Sequence, residues 1–131
     1  MVKVEASTVN PSDRLFLQGH YVTKPKLPVT AGFEGVGEVV DVKGETVKDW
    51  KGKHVCFTSQ TGTWAHYTVL TPHTCFEIEK DVPLASSASG VVNPLTVLGF
   101  IDNYKNLKGT GIIHTAAASS LGRMLNKLCQ K

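Results

Sequence analysis

Cysteine is scarce and poorly placed for stapling: Cys56, Cys75 and Cys129 are an odd number at wide spacings with no CxxC pair. That argues against a disulfide framework and against a structural zinc lobe, and makes a reducing compartment the default. No apolar run approaches the roughly 18 residues of a membrane span, and Met1-Val2-Lys3-Val4 has neither the charged nor the apolar region of a secretory signal. Charge of one sign is also missing in bulk. The 14 basic and 11 acidic residues leave a net +3, and the lysines are scattered rather than gathered into the stripe of a nucleic-acid binder. Internal repeats and low-complexity segments are missing as well. What is present is a globular composition, 41% hydrophobic and 19% charged over 131 residues, enough for one domain or one and a fraction.

The first two-thirds has the patterning of β structure. Val2, Val4 and Ala6 alternate with Lys3, Glu5 and Ser7, a half-buried strand that starts with no lead-in. Residues 35–42 form a second strand candidate, whose glycines permit a sharp bend or a close backbone approach. Residues 53–57 and 64–70 follow as further strands, separated by the turn-forming Gln60-Thr61-Gly62. Short, closely spaced strands punctuated by Gly and Pro predict a barrel or sandwich.

From Leu84 the period changes. A small-residue segment beginning at Ala85 runs through Val91, Leu95, Leu98 and Ile101 and predicts a helix that Pro94 must kink or restart. The predicted division is therefore 1–84 for the β domain and 85–131 for a linking helix and the start of a second domain. Gly111-Ile112-Ile113-His114-Thr115 suits a buried parallel strand, and Leu121, Met124, Leu125 and Leu128 then recur at i, i+3, i+4 and i+7 of a helix. Strand, turn and helix thus close the chain.

Two stretches carry chemistry. Asn10-Pro11-Ser12-Asp13, followed by Gln18-Gly19 and Tyr21, places a tyrosine where an active site needs a proton donor. Ala116 to Gly122 lies between the apolar run and the last helix, where a dinucleotide phosphate would meet free N–H groups at a helix N-terminus. Ala117, Ser119 and Gly122 occupy the three positions of a GxGxxG pattern; only the last is glycine, so a plain packing turn fits the motif equally well. The residue that reads the ribose is expected about 20 positions further on. His66, in a strand pattern, and His114, at the end of one, have no partner at triad or ligand spacing and read as structural or surface residues.

The ordered landmarks NPSD, QGxY, GFEGVGEV, GTWAHY, VNPLT and AAASSLG run through essentially the whole chain. Their order resembles the medium-chain dehydrogenase/reductase superfamily, and within it the zinc-independent quinone-oxidoreductase and enoyl-thioester-reductase branches. The resemblance implies a fold that is mainly β with an α/β C-terminal part: a GroES-like β-barrel followed by the first strand-turn-helix of a Rossmann domain that binds NADPH. It also implies that two strands before Met1 and most of the Rossmann sheet after Lys131 belong to the complete fold.

Site roles follow from the same resemblance. Where the alcohol-dehydrogenase branch holds catalytic zinc, this sequence has Asn10, Phe33-Glu34 and Val92, a set unsuited to the metal, so no zinc is expected. Tyr21 matches the tyrosine proposed to protonate the carbon beside the thioester carbonyl, and a phenol, with a reference pKa of about 10, is protonated at neutral pH. The tyrosine of the quinone-oxidoreductase branch falls at Leu15, which favours the enoyl-reductase arrangement. Asn10 and Asp13 either shape the site or make an Asx turn around Pro11. Asn93 matches a cofactor-contacting asparagine and equally a helix cap beside Pro94; Thr96 follows on the same segment, and Ala118, Ser119, Ser120 and Leu121 match the phosphate turn.

Two functions of different class are therefore expected. One is an NADPH-dependent, zinc-independent reductase of an activated C=C bond or a quinone, acting on a small molecule in the cytoplasm or mitochondrion. The other is a non-catalytic subunit or split half that docks its unfinished Rossmann edge on another polypeptide or missing segment.

Overall fold

The computed structural model describes residues 1–79, 81–106 and 110–130. It divides into two compact units, Met1–Gly90 and Val91–Lys131.

Five strands make up the first unit: β1 (Val2–Ser7), β2 (Glu34–Val39), β3 (His54–Thr58), β4 (Tyr67–Thr68) and β5 (Cys75–Glu77). They form one antiparallel sheet in the order β4-β1-β2-β3-β5. Alternation decides the faces. Val2 lies opposite Val39, while Val55 and Phe57 lie opposite Gly37 and Gly35, and these valines with the phenylalanine form the buried core. Gly37 has the close approach that the sequence allowed for, because a Cβ there would run into the Lys3 carbonyl. Register shifts between Val4 and Ala6, the irregularity of a β-bulge.

Helix α1 (Pro11–Leu17) leads away from β1, and the single turn α2 (Leu84–Ser87) packs on β1 and β2. Val36 is buried on the face of β2 opposite the valine core. The expected strand over residues 64–70 shrinks to Tyr67–Thr68, because the Thr63 and Trp64 amides bond the Ala31 carbonyl instead of a ladder partner. β5 and the helix α1 were not anticipated from pattern alone.

In the second unit, α3 (Val92–Asn106) and α4 (Ser120–Cys129) pack on each other, with Leu125 of α4 buried. Pro94 restarts the helix rather than kinking it: α2 ends at Ser87 and α3 begins at Val92, which places the proline in a first turn that needs no N–H from it. The strand expected at Gly111 to Thr115 is corrected. Among the described residues this run has no ladder, since an isolated parallel strand has no neighbour for its N–H and C=O groups. Ile113 is fully exposed.

Candidate active site

Asn10 begins α1 with Pro11 at the first helical position and Asp13 at the third, an arrangement whose carboxylate reaches back to the N-cap. Asp13 is fully buried. Its Oδ2 accepts the Asn10 N–H at 2.7 Å, and its Oδ1 accepts the Phe33 N–H at 2.9 Å. The turn expected around Pro11 is thus the start of a helix, tied to a residue twenty positions away. The Asn10 amide nitrogen donates to Thr8 Oγ1 at 2.9 Å and to Glu34 Oε1 at 2.8 Å, and the Thr8 hydroxyl also reaches that Glu34 oxygen at 3.3 Å. With both amide hydrogens used, Asn10 joins the end of β1 to the start of β2.

Phe33 leads into β2, and its ring receives two aromatic neighbours. Phe16 from α1 lies 5.3 Å away by ring centroid at an interplanar angle of 59°, and Tyr21 lies 5.3 Å away at 36°. These separations fall within the range of favourable tilted pairs. Tyr21 is 37% exposed, and no described residue hydrogen-bonds its hydroxyl. Its ring is held while its proton donor is left available. Trp64, at the same end of the sheet, donates Nε1–H to the Thr8 carbonyl at 2.9 Å. Gly32 must be glycine beside it: its φ is +94°, and a Cβ would strike the Thr63 hydroxyl and the Trp64 ring.

Behind β2, burial pushes the Cys56 thiol above its ordinary pKa, and the negative charge of Glu34 adds to the shift. The thiol is a packing group, with Sγ donating weakly to the Phe76 carbonyl at 3.7 Å. Among the described residues no three His, Cys, Asp or Glu side chains gather around a potential metal position. Asn10 presents a hydrogen-bond donor, already used, at a place where zinc would require a thiolate.

In the second unit, the turn before α4 is closed by its own hydrogen bonds, the Ser119 N–H donating to the Ala116 carbonyl at 2.9 Å. Ala116 has φ +55°, Ser119 is the N-cap, and its hydroxyl accepts the Gly122 N–H at 3.0 Å. A Cβ on Gly122 would meet the Ala116 and Ala117 carbonyls, so glycine lets the helix close on the turn. Ala118, Ser119 and Ser120 are exposed and Leu121 is half-buried. His114 bridges the preceding segment to α4 through Nε2 and Asn126 Oδ1 at 2.9 Å. Asn93 lies inside the first turn of α3, not at its cap, and no described residue pairs with its half-buried amide. Thr96 donates its hydroxyl to the Val92 carbonyl at 2.7 Å, so it retains only acceptor capacity.

In the first unit Asn10 is linked to Tyr21 only indirectly, through Asp13 and Phe33, and in the second Ala118 to Leu121 follow one another at the start of α4. Sequence reading named Asp13 beside Asn10 but missed Phe33 as the ring platform for Tyr21 and Glu34 as an acceptor of the Asn10 amide. The spacing of Asn10 to Asp13, a capping signature, was the available signal for α1.

The sheet with its glycine-dependent β2 is that of a known domain: residues 1–108 match the alcohol dehydrogenase GroES-like domain, and the chain belongs to that family. Within the medium-chain dehydrogenase/reductase superfamily it falls in the branch of enoyl-thioester and quinone reductases. It is similar to the mitochondrial enoyl-[acyl-carrier-protein] reductase of Arabidopsis thaliana, at 33% identity over 98% of this chain and 35% of that protein. A solved candidate NADPH:quinone reductase from Mesorhizobium loti shares 33% identity and a TM-score of 0.88, covering 97% of this chain and 38% of the other. A mycobacterial protein solved with NADPH is 25% identical with a TM-score of 0.77, covering 98% and 40%. The chain thus spans well under half the length of these relatives. Among the described residues no helix is long and apolar enough to cross a membrane.

Proposed function

We propose that this chain is the substrate-activating part of an NADPH-dependent reductase of enoyl thioesters, with Tyr21 as the general acid. The carrying observation is the Tyr21 ring packed on Phe33, in a partly exposed residue whose hydroxyl no described residue bonds. A catalytic acid needs a fixed position and a free proton, and this residue has both. NADPH, when bound, supplies hydride to the carbon β to the thioester carbonyl. Tyr21 delivers its phenolic proton to the α-carbon, and Asn10 shapes the site from behind by fastening β1 to Glu34.

The α4 turn fits a pyrophosphate: small exposed residues at Ala118, Ser119 and Ser120 leave room for close backbone approach, and Gly122 seats the helix beneath them. Asn93 offers an amide that no described residue pairs with, and Thr96 an acceptor oxygen, to the nucleotide. The residues at the sequence positions that match the zinc ligands, Asn10, Phe33-Glu34 and Val92, do not suit the metal, so carbonyl polarisation falls to hydrogen-bond donors. We place the activity in a complete nucleotide domain, and, from the mitochondrial relatives, in that organelle. The exposed Ile112 and Ile113 favour a second reading, a subunit that docks this edge on another polypeptide.

The two readings part in one experiment. In the complete enzyme, Tyr21→Phe is expected to lower kcat for NADPH oxidation by a 2-enoyl thioester about 10²-fold or more, with NADPH affinity unchanged. Full retention of rate would remove Tyr21 as the acid, and no turnover in the wild type would favour the docking subunit.

A further inference from the structure

We propose that Asp13 is a positioning residue for Tyr21, acting through Phe33; this rests on the reading of Tyr21 as the acid. Tyr21 stands in a stretch with no regular secondary structure, between the end of α1 at Leu17 and the start of β2 at Glu34. No ladder therefore holds its backbone. Upstream, the chain is fixed as far as His20, whose N–H bonds the Leu15 carbonyl at 2.9 Å. Beyond that, the ring contact with Phe33 determines where the phenol sits.

Phe33 is held on both sides of its backbone: its carbonyl accepts the Ser59 N–H at 2.9 Å, which ties it to the end of β3, and Asp13 takes its N–H and ties it to α1. One carboxylate oxygen accepts the Phe33 N–H and the other accepts the Asn10 N–H, in a site with 0% exposure. Both are charge-assisted bonds to main-chain donors, which are short and strong where water is excluded. The carboxylate thus clamps the first turn of α1 to the residue that carries the aromatic platform. Phe16, from the same helix, packs on the same ring and completes the link. An amide cannot substitute: asparagine at 13 would accept one N–H and turn its own NH2 toward the other.

Tyrosine ring resonances of the 131-residue chain, labelled on tyrosine and assigned with Tyr21→Phe, test the clamp without catalysis. In the wild type the Tyr21 ring signals should be displaced by the Phe33 ring. In Phe33→Leu, which leaves Asp13 and both donors in place, and in Asp13→Asn, they should move to exposed-tyrosine positions. Unmoved signals in either variant overturn the proposal. If Asp13→Asn does not fold, Phe33→Leu still decides the last link of the clamp.

The catalytic consequence is read in the complete enzyme. Asp13→Asn should lower kcat about 10-fold with KM for NADPH unchanged, and Asp13→Asn with Tyr21→Phe should be no slower than Tyr21→Phe alone. Losses that multiply in the double variant would show Asp13 acting independently of Tyr21 and overturn the positioning role. Full activity of Tyr21→Phe alongside displaced ring signals would instead refute the acid and leave the clamp standing.

Discussion

The two units differ in how far each can cover its own apolar surface. In Met1–Gly90, Val36, Val55 and Phe57 are completely buried, and every strand finds its ladder partner within the same unit. In Val91–Lys131, Val91, Val97 and Leu125 are buried, yet Leu95, Leu98 and Phe100 are about half exposed and Ile113 is wholly so. The most exposed apolar residues of the first unit, Val9, Val22, Leu27 and Val69, by contrast lie outside its strands. The cause is topological. Antiparallel strands reach their partners through short connections, so one stretch of chain can supply both the bonds and the core. A parallel α/β layer needs strands from later crossovers and helices on both faces before its apolar runs are covered.

Truncating the principal anchor of each unit tests that contrast most severely. Phe57→Ala removes the largest fully buried side chain of the sheet and should destabilise the first unit by about 3–5 kcal/mol. Leu125→Ala should cost the second unit less, about 2–3 kcal/mol, the low end for buried leucines, because the surrounding helices can relax toward solvent. Urea titrations followed by tryptophan fluorescence for the first unit and by far-UV circular dichroism for the helices would measure both. Equal costs would mean that the second unit is as tightly packed as the sheet, and the comparison would fail.

A smaller effect separates the turn before α4 from its helix. The Ser119 hydroxyl accepts the Gly122 N–H, so Ser119→Ala should cost about 1 kcal/mol, the usual value of an N-cap. If Ser119 also faces a pyrophosphate, NADPH affinity measured by titration falls in the same variant. A stability loss with unchanged affinity would confine the residue to capping.

What could be read in advance follows the same division. β1 was legible because one of its faces is buried and alternation records it, β2 and β3, buried on both faces, as short runs bounded by turn residues, and α4 because Leu121, Met124, Leu125 and Leu128 share one helical face. α1 was not legible as a helix: seven residues starting at a proline give too little periodicity, and its fixing bond runs from Asp13 to Phe33. β5 was hidden because three residues cannot show alternation. The apolar run at Ile112 and Ile113 was over-read, since hydrophobicity marks a strand only where another strand pairs with it. At the candidate site, the motif singles out Tyr21 as a proposal, but nothing in it announces the packing of that ring on Phe33. Phe33 lies across an irregular segment, and nothing in local sequence pattern reports a ring contact of that kind.

The mildest substitution gives the most discriminating answer about the second unit. Ile113 is 101% exposed, so replacing it removes no buried area from the isolated chain. Ile113→Ser should therefore change its unfolding free energy by no more than about 0.5 kcal/mol, the range of ordinary surface substitutions. A loss of about 2 kcal/mol or more would mean that the side chain is covered in solution. Protein concentration then identifies the cover. A loss that grows with concentration of the wild type points to a second copy of the chain, because only association makes apparent stability depend on concentration. A loss independent of concentration points to the unit folding this segment back on itself, and the contrast with the self-covering sheet would disappear.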